Sequence, residues 1–195
     1  MPIVPIDRAI VAACQGRAIA FPTDTVPALA TRPIDAEVIF DLKQRSHDKP
    51  LILMVSDVAE LWQFTKGTDR ELAIWQSVAA RYLPGAVTLV LPATDLIPAV
   101  MNPLGTQTIG LRVPAGEIAR SILQATGALA TTSANLSGQP PLLTMSAISD
   151  AFPEVFALQL AADLPSAGQP STVIAWQQTG WKLLRQGAVD VSDLD

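Results

Sequence analysis

Lys43-Gln44-Arg45-Ser46-His47-Asp48-Lys49-Pro50 runs directly into Leu51-Ile52-Leu53-Met54-Val55. A cationic helix end thus hands the chain to a short, wholly apolar run. Such a run, bounded by Pro50, reads as a buried strand. Upstream, Asp35 is expected to start a helix through about Arg45, with Val38, Ile39 and Leu42 on one face. Helix, cationic turn and buried strand in succession mark an α/β chain.

The same kind of passage recurs on both sides. Residues 3–6 read as a first strand, and Asp7 as the N-cap of a helix over 8–15, with Gly16 as its stop. Residues 18–21 form a buried strand that ends at Pro22 and opens into the polar loop Thr23-Asp24-Thr25. Asp57 caps a short helix, and 69–83 is a longer one closed by Pro84-Gly85. Further strands are expected at 88–91, 108–113, 129–132, 155–160, 172–176 and 182–185, with helices at 118–125 and 146–151. The alternation is irregular, so the reading is one α/β domain over residues 1–195. Its sheet is twisted and mixed, parallel and antiparallel, and flanked by helices.

Composition bounds the function. Of 195 residues, 49% are hydrophobic and 16% charged, enough to bury a core and too apolar for a disordered chain. The net charge of −5 argues against a general nucleic-acid binder, which needs many cations. The single cysteine, Cys14, excludes an intrachain disulfide and is read as helix packing. The start lacks a basic segment followed by an apolar run, and no stretch reaches the roughly 20 apolar residues of a spanning helix. The expectation is a cytoplasmic protein with no membrane contact.

Five polar segments sit at the ends of apolar strands, where α/β proteins place ligands. The 43–49 turn holds three of the chain's 13 basic residues, Lys43, Arg45 and Lys49. Arg grips phosphate oxygens in pairs, and Lys adds a compact charge. Thr131-Thr132-Ser133-Ala134-Asn135-Leu136-Ser137 packs hydroxyls and an amide into a turn-forming loop. Thr25 follows a buried strand, and Ser171 precedes one with Arg185 downstream. Arg112 lies in an apolar strand that begins at Thr108, and reads either as a buried structural ion pair or as a carboxylate anchor. His47 is the only histidine, and neither GxxxxGK[ST] nor GxGxxG occurs. These residues describe a site that positions substrates electrostatically, with no covalent nucleophile and no metal-ligating set.

Taken together, PTDTV (22–26), KQRSHDKPL (43–51), TIGLRVP (108–114), TSANLSGQP (132–140), PSTV (170–173) and LLRQG (183–187) resemble the YrdC-like family of threonylcarbamoyl-AMP synthases. The order and spacing of the motifs carry the match, and the chain resembles the short, single-domain kind. The resemblance implies a nucleotidyl-transfer enzyme. L-threonine and bicarbonate or CO2 give a carbamate, which attacks the α-phosphate of ATP to form threonylcarbamoyl-AMP and pyrophosphate. That product feeds N6-threonylcarbamoyladenosine modification at position 37 of tRNA. Mg2+ is expected with the ATP, and tRNA or downstream tRNA-modifying proteins are the implied partners.

Carried over by motif, Lys43, Arg45, Lys49, Thr108, Ser133, Asn135 and Arg185 would bind ATP. Thr25, Arg112, Thr131 and Ser171 would bind threonine. The chain departs from the family where Tyr-Gly usually follows PTDTV: it has Pro27-Ala28, which predicts a more open threonine pocket. Two other readings stand beside the synthase. One is an RNA-binding module, and the other a diverged paralogue with an altered substrate.

Overall fold

The computed structural model describes residues 3–161 and 166–194. Within these residues ten strands form one mixed sheet: β1 (Ile3–Val4), β2 (Ile19–Phe21), β3 (Ala28–Thr31), β4 (Ile52–Met54), β5 (Val87–Pro92), β6 (Thr108–Arg112), β7 (Leu129–Ser133), β8 (Phe156–Leu158), β9 (Thr172–Gln177) and β10 (Gly180–Arg185). Their order across the sheet is β1-β8-β2-β3-β7-β4-β6-β5-β9-β10. Parallel pairs (β4 with β6, β5 with β9) occur together with antiparallel ones (β3 with β7, β4 with β7, β5 with β6). The mixed sheet expected from the sequence is the one observed.

Among the described residues five α-helices flank it: α1 (Ile6–Cys14), α2 (Glu37–Lys43), α3 (Asp69–Tyr82), α4 (Glu117–Thr126) and α5 (Met145–Ala151). Three local expectations change. Pro5, not Asp7, is the N-cap of α1, so Asp7 falls in the first turn, where its charge complements the helix dipole. The expected helix over 35–45 is instead a 3-10 turn, Pro33–Asp35, followed by the shorter α2. Gln44 adopts a left-handed conformation at φ 47°, and Arg45 N–H returns to the Phe40 carbonyl at 2.9 Å, a Schellman-type stop. This stop turns Arg45 out of the helix. Cys14, expected in packing, is exposed. The sequence reading also missed β3, whose four residues are all buried and show no alternation.

Two apolar cores explain where the site lies. Helices α1, α4 and α5 pack Ala9, Ala13, Ile122, Leu123 and Ile148 against Ile19, Phe21 and Ala157 at the β8–β2–β3 end. Helices α2 and α3 pack Phe40 and Trp75 with Leu53, Leu89, Leu111 and Ile174 at the other end. Strand alternation sends Leu53, Ile109, Leu111 and Leu89 into that second core. The intervening residues Ile52, Met54, Gly110, Arg112 and Thr88 project from the opposite face and line a cleft of about 470 Å3.

Candidate functional site

The cleft floor crosses the central strands. Ile52 faces Gly110 on one side and Thr131 on the other. A Cβ built on Gly110 would stand 3.3 Å from both Ile52 and Thr88, so the missing side chain keeps the floor low. Among the described residues the wall carries three guanidinium groups, Arg45, Arg112 and Arg185, and no carboxylate. In a chain of net charge −5, this is a local concentration of positive charge.

Arg112 occupies the inner end and is 3% exposed. Its Nε–H donates to the Gly85 carbonyl at 3.0 Å, Nη1 to Thr25 Oγ1 at 2.8 Å and Nη2 to Asp24 Oδ1 at 2.9 Å. The structural ion pair is therefore real, yet one N–H remains on each terminal nitrogen, enough for a carboxylate. Burial lowers its pKa; Asp24 opposes the shift and Arg185 adds to it. Thr23 donates its hydroxyl proton to the Val26 carbonyl at 2.7 Å, so Thr25 is the donor in their 3.0 Å contact. Thr131 gives its proton to the Ile52 carbonyl at 3.0 Å. Thr25 Oγ1 also accepts from Arg112, so Thr25 keeps one acceptor lone pair unspent and Thr131 keeps two.

At the outer end, Arg45 is fixed by the turn it belongs to. Nε donates to the Lys49 carbonyl at 3.0 Å and Nη2 to the Pro50 carbonyl at 3.2 Å. Arg185 reaches the Ser171 carbonyl through Nε at 3.2 Å and Nη2 at 2.8 Å. Burial lowers the pKa of both arginines, and the charge of Arg185 depresses Arg45 further.

Of the eleven residues singled out from sequence, eight share this wall: Thr25, Arg45, Thr108, Arg112, Thr131, Ser133, Ser171 and Arg185. Three stand off it. Lys49 is exposed and contributes its carbonyl to Arg45. Asn135 is buried behind the wall, where Oδ1 accepts from Ser133 Oγ at 2.6 Å and Nδ2 donates to the Leu136 and Gln139 carbonyls. Lys43 is 1% exposed, with Nζ donating to the Ser133 carbonyl and to Asn135 Oδ1 at 3.3 Å. Burial, aided by the charge of Arg45, lowers its pKa to about 7.

Sequence reasoning missed Thr88, whose hydroxyl lies 2.8 Å from Ser171 Oγ, and Asp24, the partner of Arg112. A hydroxyl inside an apolar strand was the available signal for Thr88. Pro27 is buried but does not line the cleft, whereas Val26 and Ala28 do. His47 stacks on Phe40, with ring centroids 4.5 Å apart, and bonds to Glu37. Among the described residues no group of three or more His, Cys, Asp or Glu is placed to hold a metal ion, and no helix is long and apolar enough to cross a membrane.

The chain and its fold are similar to known proteins. The Sua5/YciO/YrdC family model, described as telomere recombination, matches residues 12–187. A threonylcarbamoyl-AMP synthase of Hydrogenovibrio crunogenus is 33% identical over 193 residues, 94% of this chain and 98% of the relative. The crystal structure of Pyrococcus abyssi Sua5 complexed with L-threonine superposes with a TM-score of 0.87 at 29% identity, over 96% of this chain. This chain spans about half the length of that protein, 55%. Escherichia coli YciO superposes with a TM-score of 0.82 at 25% identity, covering 99% of this chain and 96% of the neighbour.

Proposed function

The chain belongs to the Sua5/YciO/YrdC family, and on that premise we propose that it is an L-threonylcarbamoyl-AMP synthase. One observation carries the reading: among the described residues, three arginines and no carboxylate line a single cleft whose inner end is furnished with buried hydroxyls. Such a wall suits two anionic substrates side by side.

At the inner end, the two unspent N–H groups of Arg112 hold the threonine carboxylate. Thr25 and Thr131, each with a lone pair unspent, take N–H bonds from the amine, and Ser171 closes the remaining side. At the outer end, Arg45 and Arg185 hold the triphosphate, with Thr108 and Ser133 on its polar edges and Lys49 at the mouth. The amine adds to CO2 and loses a proton to give the carbamate. A carbamate oxygen then forms a bond to the α-phosphorus as the bond to the bridging oxygen breaks, and pyrophosphate leaves. No side chain is consumed, so catalysis consists of alignment and charge stabilisation. Mg2+ belongs to the substrate, MgATP, since the described residues of the wall supply no carboxylate to bind it. The mixed anhydride is a donor for tRNA threonylcarbamoylation, which places the protein in the cytoplasm with tRNA or tRNA-modifying proteins downstream.

Pyrophosphate release with ATP, bicarbonate and threonine tests the reading. Release that requires all three supports it, and release indifferent to bicarbonate or to the amino acid overturns it. A second reading, a synthase with altered amino-acid preference, is favoured by the Ala28 methyl on the wall where the family usually has Gly. Running the assay with serine and other amino acids separates the two.

A further inference from the structure

Leu184 and Arg185 are consecutive, yet both line the cleft. In a regular strand they would point to opposite faces. The pairing of β10 with β9 shifts register between Leu183 and Arg185, so a bulge aims Arg185 inward. A bulge on an edge strand needs something to hold it.

The chain just after β10 supplies that hold. Thr172 is fully buried, and its hydroxyl is saturated. Oγ1 accepts from Gly187 N–H at 3.0 Å and Val189 N–H at 3.2 Å, and donates to the Val189 carbonyl at 2.5 Å. Ala188 N–H bonds to the Pro170 carbonyl at 3.0 Å. Gly187 passes so close that an added Cβ would lie 2.3 Å from the Pro170 carbonyl oxygen and 2.4 Å from the Ser171 carbonyl carbon. The segment leaving β10 is thereby pinned on both sides of Ser171, the residue that Arg185 grips.

We propose that Thr172 is a positioning residue: with the close pass of Gly187 it forms a clasp that sets Arg185 and Ser171 in the cleft. Thr172 does not line the cleft itself, so its influence passes through those two side chains. The inference rests on the proposed nucleotide site, and its test uses ligand binding alone, without turnover.

ATP and inorganic pyrophosphate are titrated calorimetrically into the full chain and into Thr172→Val, Thr172→Ser, Arg185→Ala and Thr172→Val/Arg185→Ala. Thr172→Val keeps the shape but drops all three bonds, and is expected to weaken ATP about tenfold, the scale of one charge-assisted hydrogen bond. Thr172→Ser keeps the hydroxyl and should bind within about twofold of the parent, well under the tenfold cost of a lost charged contact. With Arg185 already gone, Thr172→Val should add almost nothing, because interacting positions are not additive. An equal penalty with and without Arg185, or unchanged ATP binding in Thr172→Val, overturns the clasp. If Thr172→Val does not fold, Gly187→Ala carries the same comparison by displacing Ser171 from the other side. A parent protein that binds neither ATP nor pyrophosphate overturns the cleft reading itself, and the clasp's role with it.

Discussion

At the inner end of the cleft, Arg112 is 3% exposed and commits three donors to Gly85, Thr25 and Asp24. At the outer end, Arg45 hangs from the carbonyls of its own turn, and Arg185 extends from an edge strand. The inner end is part of the fold, and a ligand there meets groups already fixed. The outer end is charge held over a solvent-facing wall. Fixed polar groups discriminate between small ligands, because a mismatch leaves a buried partner unpaired. Outlying charges favour any polyphosphate and are screened by salt. On the proposed function, the contrast gives amino-acid choice to the inner end and nucleotide capture to the outer.

The largest effect should come from breaking the inner end. Arg112→Ala leaves Asp24 without its cation and the Gly85 carbonyl and Thr25 hydroxyl without their donor. Removing one partner of a buried ion pair costs about 3 kcal/mol of stability or more. Urea denaturation should show that loss, and threonine binding should vanish with it. A stability change below about 0.5 kcal/mol, the usual size for surface substitutions, would erase the distinction between the two ends.

Arg45→Ala should behave in the opposite way. ATP binding should fall by about 1.5–3 kcal/mol, the range for hydrogen bonds to charged groups. Stability should move by no more than about 0.5 kcal/mol. The penalty should shrink as salt is raised, which calorimetric titration at two ionic strengths will show. A salt-independent loss would mean that the outer end is as built-in as the inner.

How much of this was legible beforehand follows the same division. The cationic turn, the TSAN loop and the Ser171–Arg185 pair were visible because polar residues interrupt apolar strands. Their convergence could not be read, since it depends on a sheet order in which β7, β4 and β6 are neighbours. Strand β3 escaped because Ala28-Leu29-Ala30-Thr31 is buried on both faces and follows Pro27, so neither alternation nor turn signal marks it. Lys43 and Arg45 looked equivalent in sequence. The left-handed Gln44 between them sends one inward and the other to the cleft. Asn135, expected beside the nucleotide, lies off the cleft wall and accepts from Ser133 Oγ.

Lys43 sharpens the comparison, since it is a buried charge behind the outer wall. Burial lowers its pKa from 10.5 to about 7 in the folded chain. Between those values the unfolded chain holds a proton that the folded chain has released, so stability rises as pH climbs from 7 toward 10.5. Below pH 7 both states are protonated, and the cost of burying the ammonium is present in full. Denaturant titrations at two values one pH unit apart in this window should differ by about 1 kcal/mol. Lys43→Met should flatten that slope. A slope that persists in the variant would place its source elsewhere.

The smallest effect belongs to position 28 and decides how finely the inner end discriminates. Ala28 pairs with Ser133 across β3 and β7, and its methyl lines the cleft beside Val26, while Pro27 is buried off the wall. The neighbouring Thr25 and Thr131 are polar, so Val26, Ala28 and Met54 are the inner surfaces against which the methyl of threonine can pack. Serine lacks that methyl. Threonine should therefore bind more tightly than serine by about 0.8 kcal/mol, the value of one buried carbon. Ala28→Gly withdraws part of the surface that rewards the methyl. The gap between threonine and serine should narrow, with threonine weakening, serine nearly unchanged and ATP unaffected because its proposed place is the other end. Parallel titrations of the three ligands into both proteins read this directly. A variant that weakens threonine and serine alike would show that Ala28 shapes the whole inner end. A variant that tightens threonine would show that the Ala28 methyl crowds the ligand, as expected of a paralogue whose amino acid is smaller.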